Sequence, residues 1–97
     1  MLTHIVVWKY KDETSNEVRE EHRTKLKSLQ HIIPEIVKFD VGADMLHLDR
    51  SFDTGLVAVF KDRETLDIYT VHEEHQKVAA MGKEIAKQVA SVDFMIS

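Results

Sequence analysis

The segment His4–Lys11, His-Ile-Val-Val-Trp-Lys-Tyr-Lys, constrains the fold of this chain more than any other. Its β-branched and aromatic residues predict a strand. One face carries His4, Val6, Trp8 and Tyr10, the other Ile5, Val7, Lys9 and Lys11. Both faces are apolar for much of their length, and a strand of that kind needs cover on both sides. Helices cover one side of such a sheet, so something else has to cover the other.

The helices follow in order. The polar break Asp12–Asn16 supplies Thr14, Ser15 and Asn16 as N-cap candidates. From about Glu17 to Ile33, the residues Val18, Leu26, Leu29, Ile32 and Ile33 recur on one side of a predicted helix. His22 fills the gap between Val18 and Leu26 and so sits on the buried stripe. The sole proline, Pro34, ends the helix, because a residue before proline disfavours helical geometry. Ile36–Ala43 alternates Val37, Phe39 and Val41 against Lys38, Asp40 and Gly42, which predicts a second strand. A polar connection, Asp44–Gly55, leads to the continuous apolar run Leu56–Phe60, short enough for a central strand. Helices over Arg63 to about Thr70 and Glu74–Val89 precede a last strand, Val92–Ile96.

The order β-α-β-β-α-β is the α+β, ferredoxin-like arrangement, here in a single domain over residues 1–97. With both helices on one face, the bare face carries Ile5, Val7, Val57 and Val59. A contiguous apolar surface of that kind marks an association site, and a homodimer with the two sheets face to face is expected.

Charge narrows the partners. Thirteen basic against 17 acidic residues give a net charge of −4, which argues against broad binding to nucleic acid or to anionic membranes. No stretch approaches the roughly 20 apolar residues of a membrane span. There are no cysteines, hence no disulfides and no thiolate chemistry. The opening Met1-Leu2-Thr3 runs straight into the strand without a leader-like pattern, and the expected location is the cytoplasm.

The densest chemistry lies in Leu66–Val78, which places Tyr69, His72 and His75 at spacings of three. Leu66, Tyr69 and His72 share one side of a helical turn. This is either a helix end with solvated histidines or a Tyr/His pair at the mouth of a pocket. A zinc site from His72, His75 and either His4 or His22 is a third possibility, but the spacing matches no standard zinc motif, and no metal is expected. His31 and His47 read as surface residues, Glu20-Glu21 and Glu73-Glu74 as solvated helix faces, and Met45, Met81 and Met95 as gap-fillers.

Three features together resemble the stress-responsive A/B barrel domain family of the dimeric α+β barrel superfamily. They are the strand His4-Ile5-Val6-Val7, the helix end Ile32-Ile33-Pro34, and the run Leu56–Phe60 followed by Leu66, Tyr69 and His72-Glu73-Glu74-His75. The resemblance covers nearly the whole chain. This sequence carries Glu73 where the family usually has proline. The resemblance implies a pocket between sheet and helices in each protomer, without metal or other cofactor. Some plant relatives are polyketide cyclases, and by position His4, His75 and Tyr69 stand where their catalytic groups face the pocket. Val6, Trp8, Leu26, Phe39 and Leu56 are the expected walls, with Val78 and Met81, and His22 and His72 facing the same space.

In a cyclase, His75 would take a proton from carbon next to a carbonyl, Tyr69 would donate to the developing oxyanion, and His4 would orient the substrate. The expected function is a small stress-responsive-type domain of undefined activity, homodimeric, with a pocket for a small organic ligand. The enzymatic alternatives are an aldol-type cyclase and a cofactor-free monooxygenase, in which Trp8 and the histidines would surround an aromatic substrate. A pure assembly module, which would bind no ligand, is a further alternative.

Overall fold

The computed structural model describes residues 1–97. Its elements are β1 (Leu2–Tyr10), α1 (Asn16–Ile32), β2 (Ile36–Ala43), β3 (Thr54–Phe60), α2 (Arg63–Val71), α3 (Glu73–Ile85) and β4 (Ala86–Met95). The sheet is antiparallel throughout, in the order β2-β3-β1-β4, the ferredoxin-like α+β fold.

Local chemistry sets the helix ends. The Ser15 side chain accepts from the Val18 N–H and caps α1. Asp62 and Thr65 form a reciprocal capping box at the start of α2. His72 closes α2 and caps α3 at once: its backbone N–H donates to the Tyr69 carbonyl, while its ring Nδ1 accepts from the Glu74 N–H. Glu73 is the first residue of α3, a position where proline is also well suited and where a carboxylate favours the helix dipole. The turn is thus held by a histidine cap in place of a rigid ring.

Helix α3 ends at Ile85, four residues short of the expected boundary, and β4 begins at Ala86. Ala86 and Val89 fit either periodicity. Long-range pairing decides between them, because β1 has an open edge for its whole length. β4 fills that edge from Leu2↔Met95 through Trp8↔Val89 to Tyr10↔Ala86, with a bulge at Lys9/Tyr10.

Leu2, Trp8 and Tyr10 of β1 and Leu56, Ala58 and Phe60 of β3 form the core against Leu26, Leu29 and Ile33 of α1 and Leu66 and Tyr69 of α2. On the opposite face, cross-strand rows run Val59–Thr3–Phe94, Val57–Ile5–Val92 and Gly55–Val7–Ala90. No helix covers these rows, and Val57, Val92 and Phe94 are among the exposed large apolar residues. The helices lie over β2, β3 and β1 and, beyond Ala86, leave even the inward residues of β4, Val89 and Met95 among them, exposed. A gap therefore opens between α3 and β4. No helix is long and apolar enough to cross a membrane.

Candidate functional site

That gap is a cavity of about 450 Å³ between β1, β4 and the two C-terminal helices. Val6, Trp8, Leu26 and Leu56 form apolar walls, and His4, Tyr69 and His75 bring polar groups to the same space. Thr70, Ala79, Lys83, Val89 and Ser91 complete the lining. Sequence reasoning missed these five. Ala79 and Lys83 follow His75 at steps of four, the helical signal that would have found them. Val89 and Ser91 enter only because β4 pairs opposite Trp8 and Val6.

Tyr69 comes from the last two turns of α2 and His75 from the first turn of α3, so the His72 cap between them sets their approach. Their rings lie 4.2 Å apart, and the His4 ring lies 6.0 Å from Tyr69. The His75 Nδ1 is 3.0 Å from the Thr70 carbonyl. A carbonyl only accepts, so Nδ1 carries the proton and the lone pair of the neutral ring sits on Nε2. Burial, with the nearby His4 and His72, lowers the His75 pKa, partly offset by the Thr70 hydrogen bond. Tyr69 is buried, and desolvation alone raises its pKa. It stays a neutral phenol, a hydrogen-bond donor with its hydroxyl unclaimed by the protein. His4 pairs through Nδ1 with Asp93 of β4, which local pattern did not reveal. The carboxylate fixes the ring orientation and places the His4 proton on Nδ1.

Five expected pocket residues do not line this cavity. His22 is fully buried on the far side of Trp8, where its Nδ1 lies 2.7 Å from the Tyr10 hydroxyl. Tyr10 in turn donates to Thr54 Oγ1 at 2.8 Å, and Arg23 donates to the same oxygen at 3.0 Å. Phe39 packs edge-on against Tyr69 within the core. His72 is committed to capping α3. Val78 and Met81 point between α1 and α3 into a separate groove of about 210 Å³. Helical phase explains this last group, since Val78 lies about 100° around the helix from Ala79. No three His, Cys, Asp or Glu side chains come close enough together to hold a metal ion.

A four-stranded antiparallel sheet with its helices on one face is the ferredoxin-like α+β frame. The chain belongs to the stress responsive A/B barrel domain family, which it matches over residues 2–96. Among curated proteins, none matches this sequence. Solved structures share the fold. One is a dimeric ferredoxin-like protein of unknown function from Thermobifida fusca, at 23% identity and TM-score 0.89, covering 98% of this chain and 90% of that one. Another is the hydroxynitrile lyase from Passiflora edulis, at 19% identity and TM-score 0.88, covering 99% and 93%. A third is an antibiotic biosynthesis monooxygenase, at 18% identity and TM-score 0.79, covering 100% and 99%.

Proposed function

We propose that this A/B-barrel protein is a homodimer that binds one small, largely apolar organic molecule in the cavity of each protomer. The observation that supports this best is the convergence of the Tyr69 hydroxyl and the His75 Nε2 on an apolar cavity, neither of them hydrogen-bonded to the protein. Polar groups in such surroundings are costly unless a ligand or water satisfies them. Dimerisation draws its support from the uncovered rows of Ile5, Val7, Val57, Val59, Val92 and Phe94, whose burial against a second copy contributes about 25 cal/mol per Å². The Thermobifida relative is described as dimeric.

One observation favours a second reading, proton abstraction from carbon. The Thr70 carbonyl fixes the His75 tautomer with its free lone pair on Nε2, as a general base requires. His75 Nε2 would take the proton next to a ligand carbonyl. Negative charge would then gather on the carbonyl oxygen, where the Tyr69 O–H donates to it. His4, oriented by Asp93, would hold the substrate. The lyase and the monooxygenase carry their own chemistries on this fold, so the fold alone selects no reaction.

Trp8, the only tryptophan, lines the cavity and reports on its contents. Titration with small aromatic ketones is expected to shift its emission and to raise the melting temperature, by about 2.7 kcal/mol of stabilisation at 100 times the dissociation constant. Light scattering is expected to give about twice the 11.2 kDa protomer mass. A monomer at micromolar concentration refutes the face-to-face sheets, and silence of Trp8 towards such compounds refutes the ligand site.

A further inference from the structure

We infer that the cavity selects an organic acid, with Lys83 at its rim pairing with the ligand carboxylate. This rests on the cavity being the ligand site proposed above. Lys83 stands on α3 two turns beyond His75, with Ala79 between them, so the three side chains lie along one face of the helix. His75 is half-buried and Lys83 exposed, which places the ammonium at the opening.

Two features make that ammonium a ligand group and not one more surface charge. It alone among the lysines lines the cavity, and it makes no ion pair there, whereas Lys77 of the same helix bridges Glu73 and Glu74, and Lys87 bridges Asp12. The chain as a whole has 17 acidic against 13 basic residues, yet no Asp or Glu lines the cavity. Asp93, whose partner His4 lines the cavity, is held by that histidine. A cation at the mouth of an apolar cleft that no acid lines is placed to meet and orient an anionic ligand.

Geometry bounds the ligand. The α-carbons of His75 and Lys83 are about 12 Å apart along the helix, and a helical side chain leans back towards the N-terminus. The ammonium therefore reaches to roughly 6–10 Å from the His75 ring. The ligand is an acid whose carboxylate is separated by a short hydrocarbon or aromatic spacer from the group that meets Tyr69 and His75. Val6, Leu26 and Leu56 receive the spacer, and the Ser91 hydroxyl faces it from β4.

Two probes of matched shape test this: 4-phenylbutyrate and 4-phenylbutan-1-ol, titrated into the intact protein at about pH 8, where His75 is neutral, with Trp8 emission as the readout. The acid is expected to bind about tenfold more tightly than the alcohol, as a charge-assisted contact implies. Lys83→Met keeps the apolar stem and is expected to erase that preference without changing the alcohol's affinity, while Lys83→Arg retains it. Equal affinities in the wild type, or an acid preference that survives Lys83→Met, overturn the role of Lys83 and leave the ligand site standing. If neither probe moves Trp8, the ligand site itself fails, and this proposal with it.

Discussion

The molecule contains two tyrosine–histidine pairs, Tyr10–His22 and Tyr69–His75, and they do opposite things. In the first, the Tyr10 hydroxyl is held between His22 Nδ1 and Thr54 Oγ1, with Arg23 closing the network on the threonine. In the second, the rings lie tilted with centroids 4.2 Å apart, the histidine is tied back to the Thr70 carbonyl, and the remaining polar valences open onto a cavity. Residue type is the same in both. In the first pair the protein engages both the tyrosine hydroxyl and the histidine Nδ1, and the pair serves the core, while the second keeps its tyrosine hydroxyl and histidine Nε2 free for a guest. The difference arises from packing: α1 presses His22 against the sheet, whereas no helix covers β4 beside His75.

Replacing each histidine by glutamine, which fills much of the same space and cannot act as a base, sets the two pairs against each other most sharply. If the second pair abstracts protons, wild-type protein speeds deuterium uptake next to the carbonyl of 4-phenylbutan-2-one in heavy water. In that case His75→Gln is expected to lose about 100-fold or more of that rate, at least about 2.7 kcal/mol of barrier. His22→Gln is expected to keep it. Proton exchange followed by NMR decides the matter: equal rates in wild type and His75→Gln remove the base assignment, and an inert wild type leaves binding without catalysis.

Much of this contrast was legible in sequence, and what was not has a physical reason. β1 announced itself by two apolar faces, and the stripe through Val18, Leu26 and Leu29 placed His22 inside before any contact was known. The stripe fixed burial but not the neighbour: His22 meets Tyr10 and Trp8 instead of the cavity, because the inward residues of β1 pack against its ring. Val78 and Met81 failed as pocket walls through helical phase, and Phe39 because Tyr69 stands between it and the cavity. Asp93 lies 89 residues from His4 and becomes its partner only through the β1–β4 register, which local periodicity does not contain. The last strand was misplaced for the same reason, since Ala86 and Val89 suit a helix until an open sheet edge competes for them.

Acid acts on both pairs in the same direction. Burial, with Arg23 beside it, lowers His22 from 6.5 to about 4. Between those values the unfolded chain binds a proton that the folded one refuses, so stability is full above about pH 6.5 and falls as the pH drops towards 4. The loss from His22 between pH 7 and pH 5 is expected to be about 2 kcal/mol. His75 is lowered as well and adds a share of the same sign. Urea unfolding at the two pH values, in wild type and in His22→Gln, separates the contributions. A slope unchanged by His22→Gln would mean that this histidine titrates normally and that its network is open to water.

Gly82 provides the smallest effect, because it touches His22 of the first pair, with Trp8 beside it, while lying on the helix that carries His75. A Cβ there would sit 2.9 Å from both His22 Nε2 and Trp8 Nε1. His22 Nε2 has no hydrogen-bond partner. With Nδ1–H donating to Tyr10, that atom is a bare lone pair, less costly to bury than an orphaned N–H. Alanine is the better helix former by about 1 kcal/mol, so an unobstructed site would be stabilised by Gly82→Ala. Two rigid rings stand in the way instead, one held by Tyr10 and the other by the sheet, and neither swings aside as the end of a flexible chain would. Overpacking of this kind costs about 1–3 kcal/mol, and the net expectation is a loss of up to about 2 kcal/mol. Urea unfolding of Gly82→Ala reads the sign directly. A gain in stability would show that His22 and Trp8 yield easily, and the distinction between a locked pair and an open one would then be a matter of degree.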